Sequence, residues 1–212
     1  MHPNTEWLPS SGAAEQLIVL LHGQGAGAET MAPLALALRA AFPQAAVLAP
    51  AHFLLADDAA GDAAASDALQ HWLQAQQQRL GVGAPATALG GLGRGAVRAL
   101  ALVLRHDGIA GRVLAFGGAF VQPPEAAPRL TTLHFFHGEA DPVMPAEGAR
   151  QALQRLSALQ GDATLDIAAG VGHELHPALI QRALHRLQTH IPLRTWQAAL
   201  GAAQAAAPPP AG

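Results

Sequence analysis

The chain has 212 residues, half of them hydrophobic and 13% charged, with a formal net charge of -3; these values suit one folded domain and exclude disorder as the general state. Lysine and cysteine are both absent, which excludes Schiff-base chemistry, a pyridoxal lysine, a Walker A phosphate loop, disulfides, thiolate nucleophiles and cysteine-held zinc. The arginines are scattered and form no basic patch, so neither a nucleic acid nor an anionic membrane is expected as a partner.

Residues 1–15 read as an N-terminal arm without the Lys or Arg and the apolar stretch of a secretory signal. Gln16 to Leu21 is a continuous apolar run of strand length, the pattern of a strand buried on both faces. A glycine loop follows (HGQGAGAET), then helical spacing from Met31 to Phe42 and a second buried strand, Ala45 to Ala49, stopped by Pro50. Ala51 to Asp62 is expected to be a loop. Ser66 to Leu80 is an amphipathic helix with Leu69, Trp72, Leu73, Gln76 and Leu80 on one side, closed by Gly81. A short strand from Ala86 to Leu89 then meets a turn made almost wholly of glycine, Gly90 to Gly95, and a helix from Ala96. Arg112 to Phe116, Thr131 to Phe136 and Ala163 to Ala168 read as strands, and Ala146 to Leu159 and Ala178 to His190 as helices. A further short helix reaches about Ala206, and residues 207–212 form a Pro/Ala tail expected to be disordered. No apolar run approaches the roughly 20 residues needed to span a bilayer, and a cytoplasmic protein is expected. Six strands alternating with helices over residues 16–206 predict an α/β fold with a doubly wound, mostly parallel sheet and helices on both faces.

In such a sheet the loops at the carboxyl ends of the strands build the site. A strand, a Gly-x-X-x-Gly turn and a helix make the nucleophile elbow of an α/β-hydrolase, whose triad follows in the order nucleophile, acid, histidine. Gly93, Asp141 and His173 fall in that order, each just after an expected strand. Asp141 would hold His173 in the tautomer that turns its other nitrogen to the elbow, and His173 would be the general base. The nucleophile position, Gly93, has no side chain. The backbone N–H groups of Arg94 and Gln24 are the candidate oxyanion hole. The serines are Ser10, Ser11, Ser66 and Ser157; two lie in the arm and two at or within helices, and none is placed to attack.

Four segments carry a resemblance: LIVLLHGQGAGAETMAPLALALRAAFPQAAVLAP, GVGAPATALGGLGRGA, HGEADPVMP and TLDIAAGVGHE. They resemble the bacterial carboxylesterase/phospholipase family of α/β-hydrolases, relatives of the acyl-protein thioesterases. The resemblance implies carboxylic ester or thioester substrates and no metal or organic cofactor. The family's elbow usually reads Gly-Phe-Ser-Gln-Gly, whereas this chain has Gly91, Leu92, Gly93, Arg94, Gly95. Both the nucleophile and the residue after it therefore differ.

Three functional readings follow. The chain is a hydrolase-fold protein that is catalytically impaired or inactive; or an esterase in which His173 activates a water or another nucleophile; or a binder of an acyl or anionic ligand or of a protein partner. Gly23-x-Gly25-x-x-Ala28 imitates a dinucleotide fingerprint, but the acid expected about 20 residues on is missing. His173, Glu174, Leu175, His176 is one residue short of the metalloprotease helix motif, so no metal is expected.

Overall fold

The computed structural model describes residues 5–23, 27–51 and 59–206. The strands are β1 (Thr5–Trp7), β2 (Gln16–Leu21), β3 (Ala45–Ala49), β4 (Thr87–Leu92), β5 (Arg112–Phe116), β6 (Thr132–Gly138) and β7 (Ala163–Ala168). The α-helices are α1 (Ala32–Ala41), α2 (Ala59–Leu80), α3 (Arg94–Arg105), α4 (Ala146–Ala158), α5 (Pro177–Thr189) and α6 (Leu193–Ala206). Among the described residues the strands form one sheet in the order β1-β3-β2-β4-β5-β6-β7, parallel throughout except for β1.

Strand β3 and the strands β2 and β5 after their first residue read as apolar runs because both of their faces are covered, and β6 is buried along its whole length although it carries His134 and His137. Alternation along β2 assigns its residues to two cores. Leu17, Val19 and Leu21 pack with Leu69 and Leu73 of α2 and Ala99 and Val103 of α3. Ile18 and Leu20 pack with Leu34 and Leu38 of α1 and Leu179 and Ala183 of α5. The chain runs from β2 outward to β3 and then returns to β4 on the other side of β2. That reversal opens a crevice at the carboxyl ends of β2 and β4, where sites form in sheets of this kind. Among the described residues no helix is long and apolar enough to cross a membrane.

Three expectations are corrected. The arm contains β1, which pairs antiparallel with β3 (Thr5 with Ala49, Trp7 with Val47) and makes a seventh strand; three residues are too few to show a period. Helix α2 begins at Ala59, inside the stretch expected to be a loop. Strand β4 continues through Gly90 and Gly91, which pair with Leu20 and Leu21 on one side and with Leu114 and Ala115 on the other. These glycines belong to the sheet because its neighbours press on them: a Cβ at Gly90 would lie 2.8 Å from the Leu20 side chain. The expected tail, 207–212, lies outside the described residues.

The amino ends of β5, β6 and β7 hold a buried polar cluster, at the end of the sheet away from the glycine turn. Asp162 accepts hydrogen bonds from the Thr132 hydroxyl (2.6 Å) and the Leu193 N–H (3.0 Å), and lies 3.0 Å from Nε2 of His190. These bonds tie the start of α6 to the sheet. Burial pushes the Asp162 carboxyl up, but the Thr132 hydroxyl, the Leu193 N–H and His190 outweigh it and hold it below its ordinary value. His134 is fully buried, with Nδ1 2.8 Å from the Thr164 hydroxyl. Burial first, and then His190 and Arg112, lower its pKa to about 3.

Both shifts make the fold acid-sensitive. Below its ordinary pKa of about 6.5 His134 takes a proton in the unfolded chain and refuses it in the folded one, so stability falls as pH drops from about 6.5 toward 3, by about 1.4 kcal/mol per pH unit. The stabilisation from Asp162 is present above its unfolded pKa of about 3.9 and is lost as pH falls through its lower folded value. His134→Asn, which keeps a polar partner for Thr164, is expected to flatten the decline between pH 6.5 and 4. Urea unfolding across that range checks it, and an unchanged slope would refute the assignment.

Candidate active site

The elbow is built from what glycine permits. Gly93 has φ 56° and ψ -118°, outside the regions open to L-residues, and this lets the chain pass from β4 into α3 within one residue. Its N–H donates to the Phe116 carbonyl at 2.9 Å and its carbonyl accepts the Val97 N–H at 3.0 Å. A Cβ at Gly91 would overlap the backbone of Gly95 and Ala96, and one at Gly95 would overlap the Leu21 carbonyl. Small residues here draw the start of α3 onto the end of β2.

Asp141 follows β6 and is 6% exposed. Its Oδ1 accepts the N–H groups of Val143 and Met144, both at 2.9 Å, and its Oδ2 lies 2.7 Å from Nδ1 of His173. Burial would raise the carboxyl; the Met144 N–H, His173 and the Val143 N–H outweigh it and hold Asp141 below its ordinary value, as an anion. A carboxylate only accepts, so His173 carries its proton on Nδ1 and Nε2 is left with a lone pair. That nitrogen faces the elbow: a Cβ on Gly93 would lie 2.8 Å from it. The three positions picked out from the sequence, 93, 141 and 173, therefore meet at one point. The imidazole reaches so far toward Gly93 that a side chain there would make the ring retreat by a few tenths of an ångström.

Arg94 is the first residue of α3, where the helix itself supplies no acceptor for the backbone N–H groups. Gln24, the other candidate donor, lies outside the described residues. His22, at the end of β2, is 6% exposed, with Nδ1 3.0 Å from the Gly23 carbonyl.

Three contributors were missed in the sequence. Gly117, just after β5, has φ +50°, and a Cβ there would lie 3.0 Å from the His173 ring and 3.1 Å from Oδ2 of Asp141. Its glycine makes room for the pair, and the signal was the Gly117-Gly118 step at a strand end. His137 lies fully buried in β6 and donates from Nε2 to the Met144 carbonyl at 2.6 Å. It thereby fixes the turn whose N–H groups hold Asp141. Ser66 lies in the wall of a cleft of about 370 Å³ beside Arg94, Arg98 and Met144, so its helix comes nearer the strand ends than expected. The signal was its spacing three residues before Leu69, on the apolar face of α2.

Comparison with known proteins gives the family and the fold. Residues 51–191 match the family described as Phospholipase/Carboxylesterase. The esterase YpfH of Escherichia coli (strain K12) is 38% identical over 134 residues, which are 63% of this chain and 56% of the relative; the chain thus spans little more than half the length of that relative. The crystal structure of esterase PE8 superposes with a TM-score of 0.77 at 28% identity, covering 87% of this chain and 97% of that one. A carboxylesterase of Bacillus cereus shares the fold, with a TM-score of 0.74 at 15% identity over 86% of this chain and 91% of that one. The chain belongs to the phospholipase/carboxylesterase family and has the α/β-hydrolase fold.

The backbone at Gly93 costs an ordinary residue about 1 to 3 kcal/mol. Gly93→Ala is therefore expected to lower stability by about that amount, the added Cβ also displacing His173. Equilibrium unfolding in urea measures the loss; an alanine variant as stable as the parent would contradict the strained elbow.

Proposed function

We propose that this member of the phospholipase/carboxylesterase family keeps the acid–base half of ester hydrolysis and has lost the covalent half. The observation that carries the reading is the contrast at one point: an Asp141–His173 pair bonded at 2.7 Å, its free nitrogen aimed at an elbow whose central residue, Gly93, has nothing to attack with. The substrate class is a carboxylic ester or thioester. The esterases among the relatives support it, and so does an elbow of the right shape.

In this reading Asp141 orients His173 and stabilises the imidazolium, and His173 is the base. The N–H groups of Arg94 and Gln24 receive the negative charge that develops on the carbonyl oxygen. With no side chain at Gly93, the nucleophile in this reading is water. His173 takes one proton from it, the hydroxide adds to the carbonyl carbon, and the tetrahedral adduct collapses as His173 returns the proton to the leaving oxygen or sulfur. Acid and alcohol, or acid and thiol, result. In a serine hydrolase, loss of the nucleophile alone costs about 10^6 in kcat, and the oxyanion hole and binding leave roughly 10^3 to 10^4 over water. The chain is thus a catalytically impaired hydrolase.

A second reading, binding without turnover, has its own support. The imidazole already occupies part of the space above Gly93, which crowds an attacking water, while the cleft beside Arg94 stays open. The ligand would be an acyl or anionic small molecule.

Hydrolysis of a short-chain aryl ester by the parent chain, Gly93→Ser and His173→Ala separates these readings. The expected result is a parent at most slowly active and a Gly93→Ser variant faster by several orders of magnitude. A parent as fast as Gly93→Ser would overturn the impairment, and a fast parent silenced by His173→Ala would mean that water or another residue attacks efficiently. Silence in Gly93→Ser, with the fold intact by circular dichroism, would overturn the intact acid–base pair.

A further inference from the structure

The cleft at Ser66 lies beside the elbow and takes no part in the hydrolysis described above. Arg94, Val97 and Arg98 stand at i, i+3 and i+4 on α3 and so share a face, and that face forms one wall of the cleft. Ser66 of α2 also lines it, 4% exposed, its hydroxyl buried without a hydrogen-bond partner among the described residues. Met144, also in the wall, belongs to the turn that holds Asp141, so the cleft adjoins the acid–base pair. A buried hydroxyl left unpaired in a native fold calls for an account. An oxygen from a bound ligand would give one.

The chemistry of the wall selects that ligand. Arg98 is 7% exposed, and both arginines have interactions within the protein that hold them. A guanidinium carries five donors in a planar fork, so one held by the fold can still present donors to a carboxylate. The amino end of α3 adds its positive partial charge. The Ser66 hydroxyl offers a third direction of donation, and Val97 and Val121 give the wall an apolar stretch suited to methylene groups.

We propose that this cleft is a carboxylate subsite, and that the ligand is an acyl compound with a second carboxylate at the far end of a short chain. Arg98 is one helical turn from Arg94, about 6 Å along the axis. An acyl carbon at the elbow and a carboxylate at Arg98 and Ser66 are thus separated by roughly the length of a four-carbon chain. The inference rests on the reading that the acyl carbon sits at the elbow, and it names the ligand class of that site.

Isothermal calorimetry on the full chain with adipate and hexanoate, which have equal chain length and differ by one carboxylate, tests it. Adipate is expected to bind at least tenfold more tightly. Ser66→Ala removes a hydroxyl that has no partner in the fold, so thermal stability should be unchanged or raised while adipate affinity falls about tenfold and hexanoate affinity stays constant. Arg98→Lys, which keeps the charge and loses the fork, should weaken adipate as well; if it does not fold, Ser66→Ala decides. Equal affinity for the two acids, no binding of either, inorganic phosphate bound as tightly as adipate, or adipate affinity indifferent to Ser66 would each overturn the subsite. The elbow fails separately: a rescued Gly93→Ser chain with no preference for adipate removes the subsite alone, and a selective chain that Gly93→Ser does not rescue removes the elbow reading alone.

Discussion

The close approach of α3 to the end of β2 governs this site. No side chain fits at Gly95, because a Cβ would overlap the Leu21 carbonyl, and none fits at Gly91, because it would overlap the first turn of the helix. With both positions bare, the helix starts against the sheet and the chain must turn within a single residue, Gly93, at φ 56°. The turn then determines what else can be near it. The Gly93 N–H is anchored on the Phe116 carbonyl at 2.9 Å, which brings β5 and its glycine step beneath the elbow. Gly117 leaves the space that His173 and Asp141 fill. Backbone packing thus places the acid–base pair, and no side chain at position 93 takes part in that placement.

This separation explains how the fold accommodates a residue without a side chain at the elbow. A side chain at position 93 is held in a conformation that costs about 1 to 3 kcal/mol, and glycine adopts it without that cost. Activity and stability oppose each other at such a residue. Glycine at position 93 sets the balance on the side of stability, and its hydrogen bonds to Phe116 and Val97 are made by backbone alone.

Much of this was legible in the sequence where one physical cause dominates. Buried parallel strands show as apolar runs, so Leu17 to Leu21 and Val113 to Phe116 were plain, and acid and base residues just after strands reported the carboxyl edge of the sheet. What stayed hidden depends on contacts between distant segments. The three residues of β1 have no period of their own and become a strand only because β3 offers an edge. Gly90 and Gly91 read as turn residues, yet they pair on both sides in the sheet, where a side chain would press on Leu20 at the first and on the start of α3 at the second. His137 and Gly117 act through Met144 and His173, partners that no local pattern announces. Ser66 was visible as a member of the apolar face of α2, but its missing partner shows only once α3 is packed against it.

The pairing of Asp141 with His173 also has a structural cause. Asp141 is a buried carboxylate, and a buried charge is tolerated only when its oxygens are satisfied. One oxygen takes the two N–H groups of the turn at 143 and 144 and the other takes His173 at 2.7 Å. Removing the histidine would leave that second oxygen facing only Nε2 of His137 at 3.7 Å, too long for a hydrogen bond, and removing the aspartate would leave the turn without its acceptor. The pair therefore persists as part of the packing of β6 against its loops, whether or not it moves protons. Its orientation is a consequence of the same bonds, so the lone pair on His173 continues to face the elbow. The bonds that satisfy the buried carboxylate thus also hold a base over Gly93, a position without a side chain.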